Sequence, residues 1–319
     1  MRVRTLGSSG PELSVIGFGA WEAGSGEEWG AARPDQQAID AITETVDAGV
    51  NWIDTAEVYG DGHSEEVVGR AVASLSGDVQ VATKLAPRPE GSGFRPEEVE
   101  LGCRNSLKRL GLDSVDLYQL HWPDETGVPV EETWGAMTKL VEDGLVRAIG
   151  VSNFERDQIE RCEAIRHVDS LQAQLSMLRL DEADLIRWCG ENGTGVLTYA
   201  PLGYGLLTGA ITKDTTFDPT DFRGGHEEWE EWQRTFAPGK IERSLVVVEE
   251  LRKVAGRLGI TVAQLALGWN VAQPGVTAAI AGSRDAEHSR LNAAAGDVEL
   301  DAGTLAELDR IVRMGPDFG

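Results

Sequence analysis

The sequence alternates eight times between a short apolar segment and a longer segment with helical periodicity. The short segments are rich in β-branched and other apolar residues, and they are bounded by Gly, Pro, Asp or Ser. This pattern is typical of strands that are buried on both faces of a sheet. We predict strands at residues 15–19, 51–54, 79–84, 115–121, 146–151, 170–174, 195–199 and 276–281.

Amphipathic segments lie between the predicted strands. Their apolar residues recur at intervals of three and four, which predicts helices with one buried face. Pro96 suits a first helical turn, and Gly144 and Gly259 suit positions just after helix ends. The clearest predicted helices cover residues 35–48, 96–110, 130–142 and 241–258.

Strands joined by crossover helices form right-handed βαβ units, which either close into a barrel or open into a doubly wound sheet. Repeats of similar length favour the barrel. The chain has 319 residues, which is enough for one α/β barrel of about 250 residues with insertions. We therefore predict a single domain over residues 1–319, of the α/β class, with a (β/α)8 TIM-barrel fold.

Three segments depart from the repeat. Residues 3–13 contain a Gly-Ser-Ser-Gly turn and predict a β-hairpin that caps the bottom of the barrel. Residues 301–313 predict an extra amphipathic helix near the C-terminus. Residues 202–239 form a long insertion after the seventh predicted strand. Loops that follow strands build the active-site face of such barrels.

Charge and cysteine content argue against several classes of function. The chain carries 53 acidic and 29 basic residues, a net charge of −24, and such a surface repels nucleic acids and anionic membranes. The sequence lacks an apolar run of about 18 residues and an apolar signal segment, so we expect a cytoplasmic protein. Cys103, Cys162 and Cys189 are far apart and predict reduced, partly buried thiols. The histidines are scattered, so no metal site is expected.

Ionisable residues stand at the ends of three consecutive predicted strands. Asp54 ends the second strand, Lys84 the third and His121 the fourth, and Tyr59 follows Asp54 by five residues. Strand ends of a barrel converge on one mouth, so these side chains are expected to meet there. Each residue alone could be a structural hydrogen-bond partner. Because Asp54, Lys84 and His121 all stand at the ends of predicted strands, a catalytic site is favoured over separate structural roles.

These residues belong to a set of motifs that resembles the aldo-keto reductase family. The resemblance runs from Thr5 to about Ala295, and the combination of motifs is highly specific. Within the family, the chain is most similar to the bacterial open-chain reductases related to potassium-channel β subunits. The matching segments are residues 54–60 with Ser64, Glu65 and Gly69, residues 83–84, 121–124, 150–154 and 199–203, and residues 282–284 with Asn292.

The resemblance implies an NADPH-dependent oxidoreductase that transfers a hydride between nicotinamide and the carbonyl of an aldehyde or ketone, sugar-type substrates included. Tyr59 would then donate the proton to the carbonyl oxygen. A phenol has a pKa of about 10 and needs a nearby cation to act near neutral pH. Lys84 would supply this cation, Asp54 would hold Lys84, and His121 would orient the carbonyl.

The resemblance also implies the cofactor site. Arg284 would bind the 2′-phosphate, so NADP(H) is expected, with NAD(H) as the less favoured choice because Asp285 and Glu287 lie close in sequence. His288 stands where the family often has Gln, and Ala200 replaces a frequent Ser. The implied contacts are Ser152, Asn153 and Gln174 for the carboxamide, Tyr199 for the nicotinamide ring, Leu202, Gly203 and Gly205 for the pyrophosphate, and Gly282, Arg284, His288 and Asn292 for the adenosine end.

Aromatic residues near the predicted mouth are candidates for the substrate pocket. Trp21 follows the first strand and Trp122 follows His121, and both are predicted to be pocket walls. Trp229 and Trp232 lie three residues apart in a predicted lid helix, where they either line the pocket or only pin the helix to the barrel. The alternative function is a redox-cofactor-sensing binding protein of low turnover. The oligomeric state stays open.

Overall fold

The computed structural model describes residues 1–24, 33–87, 94–125, 127–218, 220–224 and 235–315. The first two strands, Val3–Thr5 (β1) and Glu12–Ser14 (β2), pair as an antiparallel hairpin. The tight Gly-Ser-Ser-Gly turn between them reverses the chain, and Gly7 has the left-handed φ of 62° that such a turn favours. The predicted N-terminal hairpin is confirmed.

Eight parallel strands form a closed barrel in which neighbours along the chain pair and the last strand pairs with the first. The predicted strand limits agree with the observed ones to within one residue at each end. The predicted (β/α)8 barrel is thereby confirmed. Its strands are Ile16–Gly19 (β3), Trp52–Asp54 (β4), Gln80–Leu85 (β5), Val115–Leu120 (β6), Val146–Ser152 (β7), Ser170–Gln174 (β8), Gly195–Tyr199 (β9) and Val276–Gly282 (β10).

The hairpin closes the end of the barrel at which the strands begin. Ser8 N donates a hydrogen bond to Gly193 O, just before β9. Leu6 and Leu13 are buried against barrel-interior side chains, among them Trp52. Apolar residues of the hairpin thus cover this end, and barrels of this kind bind their ligands at the opposite end, where the strands finish.

Helices pack their apolar faces against the outside of the strands. Gly111 and Gly259 follow the helices Pro96–Leu110 and Lys240–Leu258 with left-handed φ values of 68° and 69°, which glycine adopts without a side-chain clash. The last helix is the predicted extra C-terminal one. The helices are Trp21–Gly24 (α1), Asp35–Asp47 (α2), His63–Ser74 (α3), Pro96–Leu110 (α4), Val130–Glu142 (α5), Arg156–Glu163 (α6), Ala183–Glu191 (α7), Lys240–Leu258 (α8), Val262–Ala272 (α9), Ala286–Ala294 (α10) and Ala302–Val312 (α11).

The insertion after β9 has little regular structure in the part that is described. It contains 3₁₀ turns at Gly203–Thr208 and Phe222–Gly224. Trp229 and Trp232, the tryptophans of the predicted lid helix, lie outside the described residues. The insertion starts where β9 ends, so its first turn borders the open end of the barrel.

Two predictions from composition can be compared with the structure. Cys103, Cys162 and Cys189 are free thiols, and they are buried more fully than the partial burial that was predicted. Burial raises the pKa of each thiol to about 12, so the reactive thiolate is scarce near neutral pH. Across the described ranges, no helix combines the length and the apolar character that crossing a membrane requires.

Candidate active site

The strand ends bring Asp54, Lys84 and His121 to one mouth of the barrel. Asp54 is the last residue of β4, Lys84 is the penultimate residue of β5, and His121 directly follows β6. Lys84 Nζ lies 2.6 Å from Asp54 Oδ1, and the two side chains are 0% and 3% exposed. Two of the predicted residues thus form a buried ion pair at the floor of the mouth.

Three acceptors surround the Lys84 ammonium. Its Nζ donates to Asp54 Oδ1 at 2.6 Å, to Thr55 O at 2.9 Å and to Tyr59 Oη at 3.3 Å. An ammonium has three donor hydrogens, so these bonds fix its position. Asp54 is held in turn, because Gln172 Nε2 donates to its Oδ2 at 2.9 Å.

Burial and pairing act in opposite directions on the charges of this pair. Removal from water lowers the pKa of Lys84 and raises the pKa of Asp54. The attraction between the two charges and the hydrogen bond that joins them oppose both shifts. The short bond, together with those from Gln172 and to Thr55 O, favours the charged form of both partners. Lys84 is therefore the cation of this mouth.

Tyr59 lies in the turn between β4 and α3, with its hydroxyl on Lys84. The ring is half-buried, and Lys84 Nζ is 5.0 Å from its centroid. The rings of Trp21 and His121 lie 6.2 Å and 5.6 Å away, measured between centroids. An ammonium beside a phenol oxygen stabilises the phenolate, so this hydroxyl can exchange its proton more readily than an isolated phenol.

His121 is buried beside Tyr59 in the neutral form. Burial, with a smaller contribution from the charge of Lys84, lowers the pKa of His121 well below its ordinary value. A neutral imidazole offers one N–H donor and one acceptor nitrogen. The ring stacks on Trp122 at a centroid distance of 3.8 Å. Within the part of the chain that the structure describes, its buried Nδ1 has no hydrogen-bond partner.

A cleft of about 1410 Å³ opens above these residues. It exceeds the roughly 300–1,000 Å³ of ordinary small-molecule pockets, so it has room for a dinucleotide and a small substrate together. Lys84 lies beneath the cleft, and Gly203 is buried without lining it. The other residues predicted from the sequence line the cleft: Trp21, Asp54, Tyr59, His121, Trp122, Ser152, Asn153, Gln174, Tyr199, Leu202, Gly205, Gly282, Arg284, His288 and Asn292.

Amide and hydroxyl groups gather at the ends of β7 and β9. Tyr199 Oη donates to Asn153 Oδ1 at 2.9 Å, and Asn153 Nδ2 donates to Ser152 Oγ at 3.2 Å and to His121 O at 3.0 Å. Asn153 has a left-handed φ of 58°, a conformation that Asn tolerates better than most residues. These bonds fix Ser152 and Asn153, two of the residues predicted to bind the carboxamide, beside His121.

Two glutamines of β8 face the cleft, and only one of them was predicted. Gln174 Nε2 donates to Tyr204 Oη at 3.1 Å. Gln172, which the sequence analysis omitted, is the residue that reaches Asp54. Residues two apart on a strand share a face, so the choice of Gln174 already implied that Gln172 faces inward. The strand period was therefore a signal that could have placed Gln172 in the cleft, although not on Asp54.

The end of β10 and the start of α10 form a second polar part of the cleft. A Cβ at Gly282 would lie 2.8 Å from Gly19 O, so the backbones approach closely there. Asp285 caps α10, because its Oδ1 accepts a hydrogen bond from His288 N at 2.9 Å. One of the helix N–H groups expected to bind an anion is thus already paired within the chain.

Arg284 is paired with a residue that the sequence analysis did not consider. Its Nε lies 3.3 Å from Glu22 Oε2, and the two side chains are 16% and 22% exposed. Burial raises the pKa of Glu22, and the charges of Arg284, Arg223 and Arg33 oppose this shift. Barrel closure explains the pair, because Gly282 is the partner of Gly19 in the β10–β3 register.

Aromatic side chains enclose the space in front of Tyr59. Trp21 stacks on Phe222 at a centroid distance of 6.0 Å and meets Tyr204 edge-on at 6.3 Å. Trp122 is 41% exposed at the rim. Phe222, which was not predicted from the sequence, belongs to the insertion after β9. Its contact with Trp21 could not be predicted, because the two residues are far apart along the chain.

Arg223 is a further cationic residue of the cleft, and it was not predicted from the sequence. It lines the cleft, its Nη2 lies 2.6 Å from Asp221 Oδ2, and its Nη1 donates to Tyr204 O at 3.3 Å. Arg223 and Arg284 therefore both bring a guanidinium group to the cleft, each beside a carboxylate.

Sequence comparison connects this site to known enzymes. The profile of the aldo/keto reductase family matches residues 15–313. An NADH-specific methylglyoxal reductase from Escherichia coli is 32% identical, over 97% of this chain and 98% of its own length. The matched region contains the barrel strands from β3 to β10 and the cleft residues described above.

Solved structures share the barrel over nearly the whole chain. A glycerol dehydrogenase from Gluconobacter oxydans has a TM-score of 0.83 at 32% identity, and the match covers 99% of this chain and 96% of that one. An aldo-keto reductase from Klebsiella pneumoniae in complex with NADPH has a TM-score of 0.73 at 31% identity, covering 99% and 97% of the two chains. The similarity therefore extends from sequence to architecture.

Proposed function

Because this chain belongs to the aldo/keto reductase family, we propose that it is an NADP(H)-dependent oxidoreductase of small aldehydes and ketones, or of the corresponding alcohols. The observation that carries the proposal is the bridge that Lys84 Nζ makes between Asp54 Oδ1 and Tyr59 Oη. It provides a phenol suited to proton exchange at the floor of a large cleft. We treat residues 1–319 as one functional domain.

The groups that line the cleft fit a nicotinamide dinucleotide. Amide and hydroxyl groups suit its carboxamide, and the guanidinium groups of Arg284 and Arg223 suit its phosphates. When bound, the cofactor supplies or accepts a hydride at the substrate carbon. We assign Ser152, Asn153 and Gln174 to the carboxamide, Tyr199 to the ring, Leu202, Gly203 and Gly205 to the pyrophosphate, and Gly282, Arg284, His288 and Asn292 to the adenosine end.

Tyr59 would donate a proton to the substrate oxygen in reduction and accept it in oxidation. In reduction its hydroxyl gives the proton to the carbonyl oxygen, and the ammonium of Lys84 stabilises the phenolate that remains. Asp54 keeps Lys84 charged and in place. The N–H of neutral His121 donates to the same oxygen as negative charge develops on it. Oxidation of an alcohol uses the same groups in reverse, with the phenolate as the base.

The aromatic walls of the cleft and the similar proteins together suggest a substrate class. Trp21 and Trp122 flank Tyr59 and His121, and we propose them as walls of the substrate pocket. The similar proteins named for a substrate act on methylglyoxal and on glycerol, which are small, oxygenated molecules. We therefore extend the proposal to small hydroxylated or dicarbonyl compounds, with sugars as larger members of the same class.

The choice between the two cofactors rests on opposing observations. Arg284 in the cleft and the NADPH complex of the Klebsiella pneumoniae protein support NADP(H). The carboxylate of Glu22 beside Arg284 and the NADH-specific Escherichia coli relative support NAD(H). We propose NADP(H), because a guanidinium binds a terminal phosphate more strongly than a ribose hydroxyl.

The test is a turnover screen of the purified protein. We expect the absorbance of NADPH to fall when aldehydes, dicarbonyls, ketones or sugars are added, and the absorbance to rise when NADP and the matching alcohols are supplied. Tight NADPH binding without turnover on the entire panel would favour the cofactor-sensing function. If neither NADPH nor NADH binds, the proposed oxidoreductase function is wrong.

A further inference from the structure

A buried cluster of charged residues supports the turn that carries Tyr59. The cluster consists of Glu57 in this turn, Glu65 on α3 and Arg109 near the end of α4, and we call it the Arg109 cluster. Glu57 and Glu65 are 3% and 0% exposed. The Arg109 side chain is 21% exposed. None of its members lines the cleft, so the cluster does not touch substrate or cofactor.

Arg109 joins the two carboxylates. Its Nε donates to Glu65 Oε2 at 2.6 Å, and its Nη2 lies 3.7 Å from Glu57 Oε2. The stem of Arg109 also packs on the same turn, because a Cβ at Gly62 would lie 2.5 Å from Arg109 Cδ. One guanidinium from α4 thus holds both the start of α3 and the turn before it.

The two glutamates in turn hold Lys84 and the segment around it. Glu57 Oε1 accepts a hydrogen bond from Ala86 N at 3.1 Å, and Glu57 N donates to Lys84 O at 3.3 Å. Glu65 Oε1 accepts from Thr83 Oγ1 at 2.6 Å. The cluster therefore fixes the end of β5 against the turn that carries Tyr59.

Packing alone does not explain such a cluster. Buried charges are costly to remove from water, and apolar residues of similar size would fill the same space at least as well. A fully bonded polar network, by contrast, fixes one relative position of the elements that it joins. Here those elements carry Tyr59 and Lys84, whose Oη and Nζ are 3.3 Å apart.

We infer that Arg109, acting through Glu57, is a positioning residue that sets the separation of Tyr59 Oη and Lys84 Nζ for proton transfer. The inference rests on the proposed function, in which Tyr59 is the proton donor. It predicts that loss of Arg109 slows the chemical step and leaves substrate and cofactor binding nearly unchanged.

The first experiment compares two arginines of α4. We expect Arg109→Met to lower kcat by about ten- to a hundredfold, because small displacements of a reacting group have effects of this size. The KM values for NADPH and substrate should change little, and Arg109→Lys should restore part of kcat. The matched control is Arg104→Met, because Arg104 pairs with Glu100 on the surface and is 54% exposed. This control should keep the wild-type kcat.

A double-mutant cycle with Tyr59→Phe decides whether Arg109 acts through Tyr59. We expect Arg109→Met to lower kcat in the wild-type background and to have no further effect on the residual rate of Tyr59→Phe. Equal losses in the two backgrounds would overturn the role of Arg109 and leave the proposed function intact. A Tyr59→Phe enzyme with full kcat would instead overturn the proton-donor assignment itself.

A milder variant covers the case in which Arg109→Met does not fold. Glu57→Gln keeps an oxygen that can accept from Ala86 N but removes the negative charge that faces Arg109. We expect its kcat to fall by up to about tenfold, again only when Tyr59 is present. A folded Glu57→Gln protein with wild-type kcat would overturn the inference.

Discussion

Two ion pairs in the same cleft differ in how far water reaches them. Lys84 and Asp54 are joined at 2.6 Å with side chains 0% and 3% exposed, whereas Arg284 and Glu22 lie 3.3 Å apart with side chains 16% and 22% exposed. The first pair uses its remaining hydrogen-bonding groups on Thr55, Tyr59 and Gln172. The second pair is partly open to the cleft.

The difference indicates different roles for the two cations. A fully enclosed ammonium with every hydrogen engaged is a fixed charge, which is what a proton-transfer step needs. A partly exposed guanidinium beside a carboxylate can exchange that partner for a phosphate of a ligand. We therefore expect substitutions at the first pair to change the rate and fold stability, and those at the second to change cofactor affinity.

The largest effect is expected at the hydroxyl that depends on the enclosed pair. Tyr59→Phe keeps the ring and removes the proton, so kcat should fall by roughly 10²–10⁴-fold where chemistry limits turnover. The Kd for NADPH, measured by fluorescence titration, should be nearly unchanged. A variant that retains half of the wild-type kcat would show that Tyr59 is not the donor.

Lys84→Met breaks the enclosed pair directly. It leaves the Asp54 carboxylate buried without its cation, so the free energy of unfolding should fall by roughly 3–5 kcal/mol in urea titrations. Without the ammonium the phenol holds its proton more tightly. The reductase rate should therefore be lower throughout, and its decline at alkaline pH should move to higher pH.

The control for Lys84→Met is a surface lysine. Lys139 pairs with Asp143 on the outside of the barrel at 2.9 Å and is 63% exposed. Lys139→Met should change neither the unfolding curve nor the pH profile of the rate. If the alkaline limit of the rate is unchanged in Lys84→Met, Lys84 has no role in proton transfer. Asp54→Asn should change the rate and the pH profile in the same direction as Lys84→Met, but by less.

The enclosed pair was largely predictable from the sequence. Strand limits followed from short apolar segments bounded by Gly, Pro, Asp or Ser, and barrel strands end at one mouth, so Asp54 and Lys84 were expected to meet. Gln172 was missed because the pattern shows that residues 172 and 174 share a face but not which of them reaches Asp54. That depends on where each strand ends relative to its neighbours.

The open pair could not be predicted in the same way. Glu22 and Arg284 are near opposite ends of the chain, and they meet because closure of the barrel places Gly282 beside Gly19. From the sequence, Asp285 and Glu287 were expected to be the acidic residues near Arg284, since only local neighbours are visible in a sequence. In the structure, Asp285 caps α10, and Glu22 is the carboxylate on Arg284.

Arg284→Ala tests the open pair with an effect on affinity. Charge-assisted hydrogen bonds contribute about 1.5–3 kcal/mol, so NADPH should bind about ten- to a hundredfold more weakly while NADH binding changes little. Arg290→Ala is the matched control, because Arg290 lies on α10 and pairs with Glu44 outside the cleft at 3.6 Å. Equal affinities of wild-type protein for NADPH and NADH would overturn the NADP(H) assignment.

Glu22→Gln should have the smallest effect, and one of opposite sign. The carboxylate of Glu22 competes with a phosphate for Arg284, and a partly exposed pair contributes up to about 1 kcal/mol. NADPH should therefore bind the variant about two- to fivefold more tightly. NADH should bind both proteins alike, since its ribose hydroxyl gains little from a freed guanidinium.

The pH dependence of binding makes the Glu22→Gln test sharper. Burial raises the pKa of Glu22, Asp221 adds to the rise, and Arg284, Arg223 and Arg33 oppose it. Below this pKa the carboxyl group is neutral and does not compete for Arg284. Above this pKa the charged carboxylate competes with the phosphate for Arg284. The affinity of the wild-type protein for NADPH should therefore fall relative to that of the variant as the pH rises. The phosphate itself titrates at about pH 6 in both proteins, so only the difference between their profiles reports Glu22. Parallel profiles, or weaker NADPH binding by Glu22→Gln, would show that Glu22 supports phosphate binding instead of competing with it.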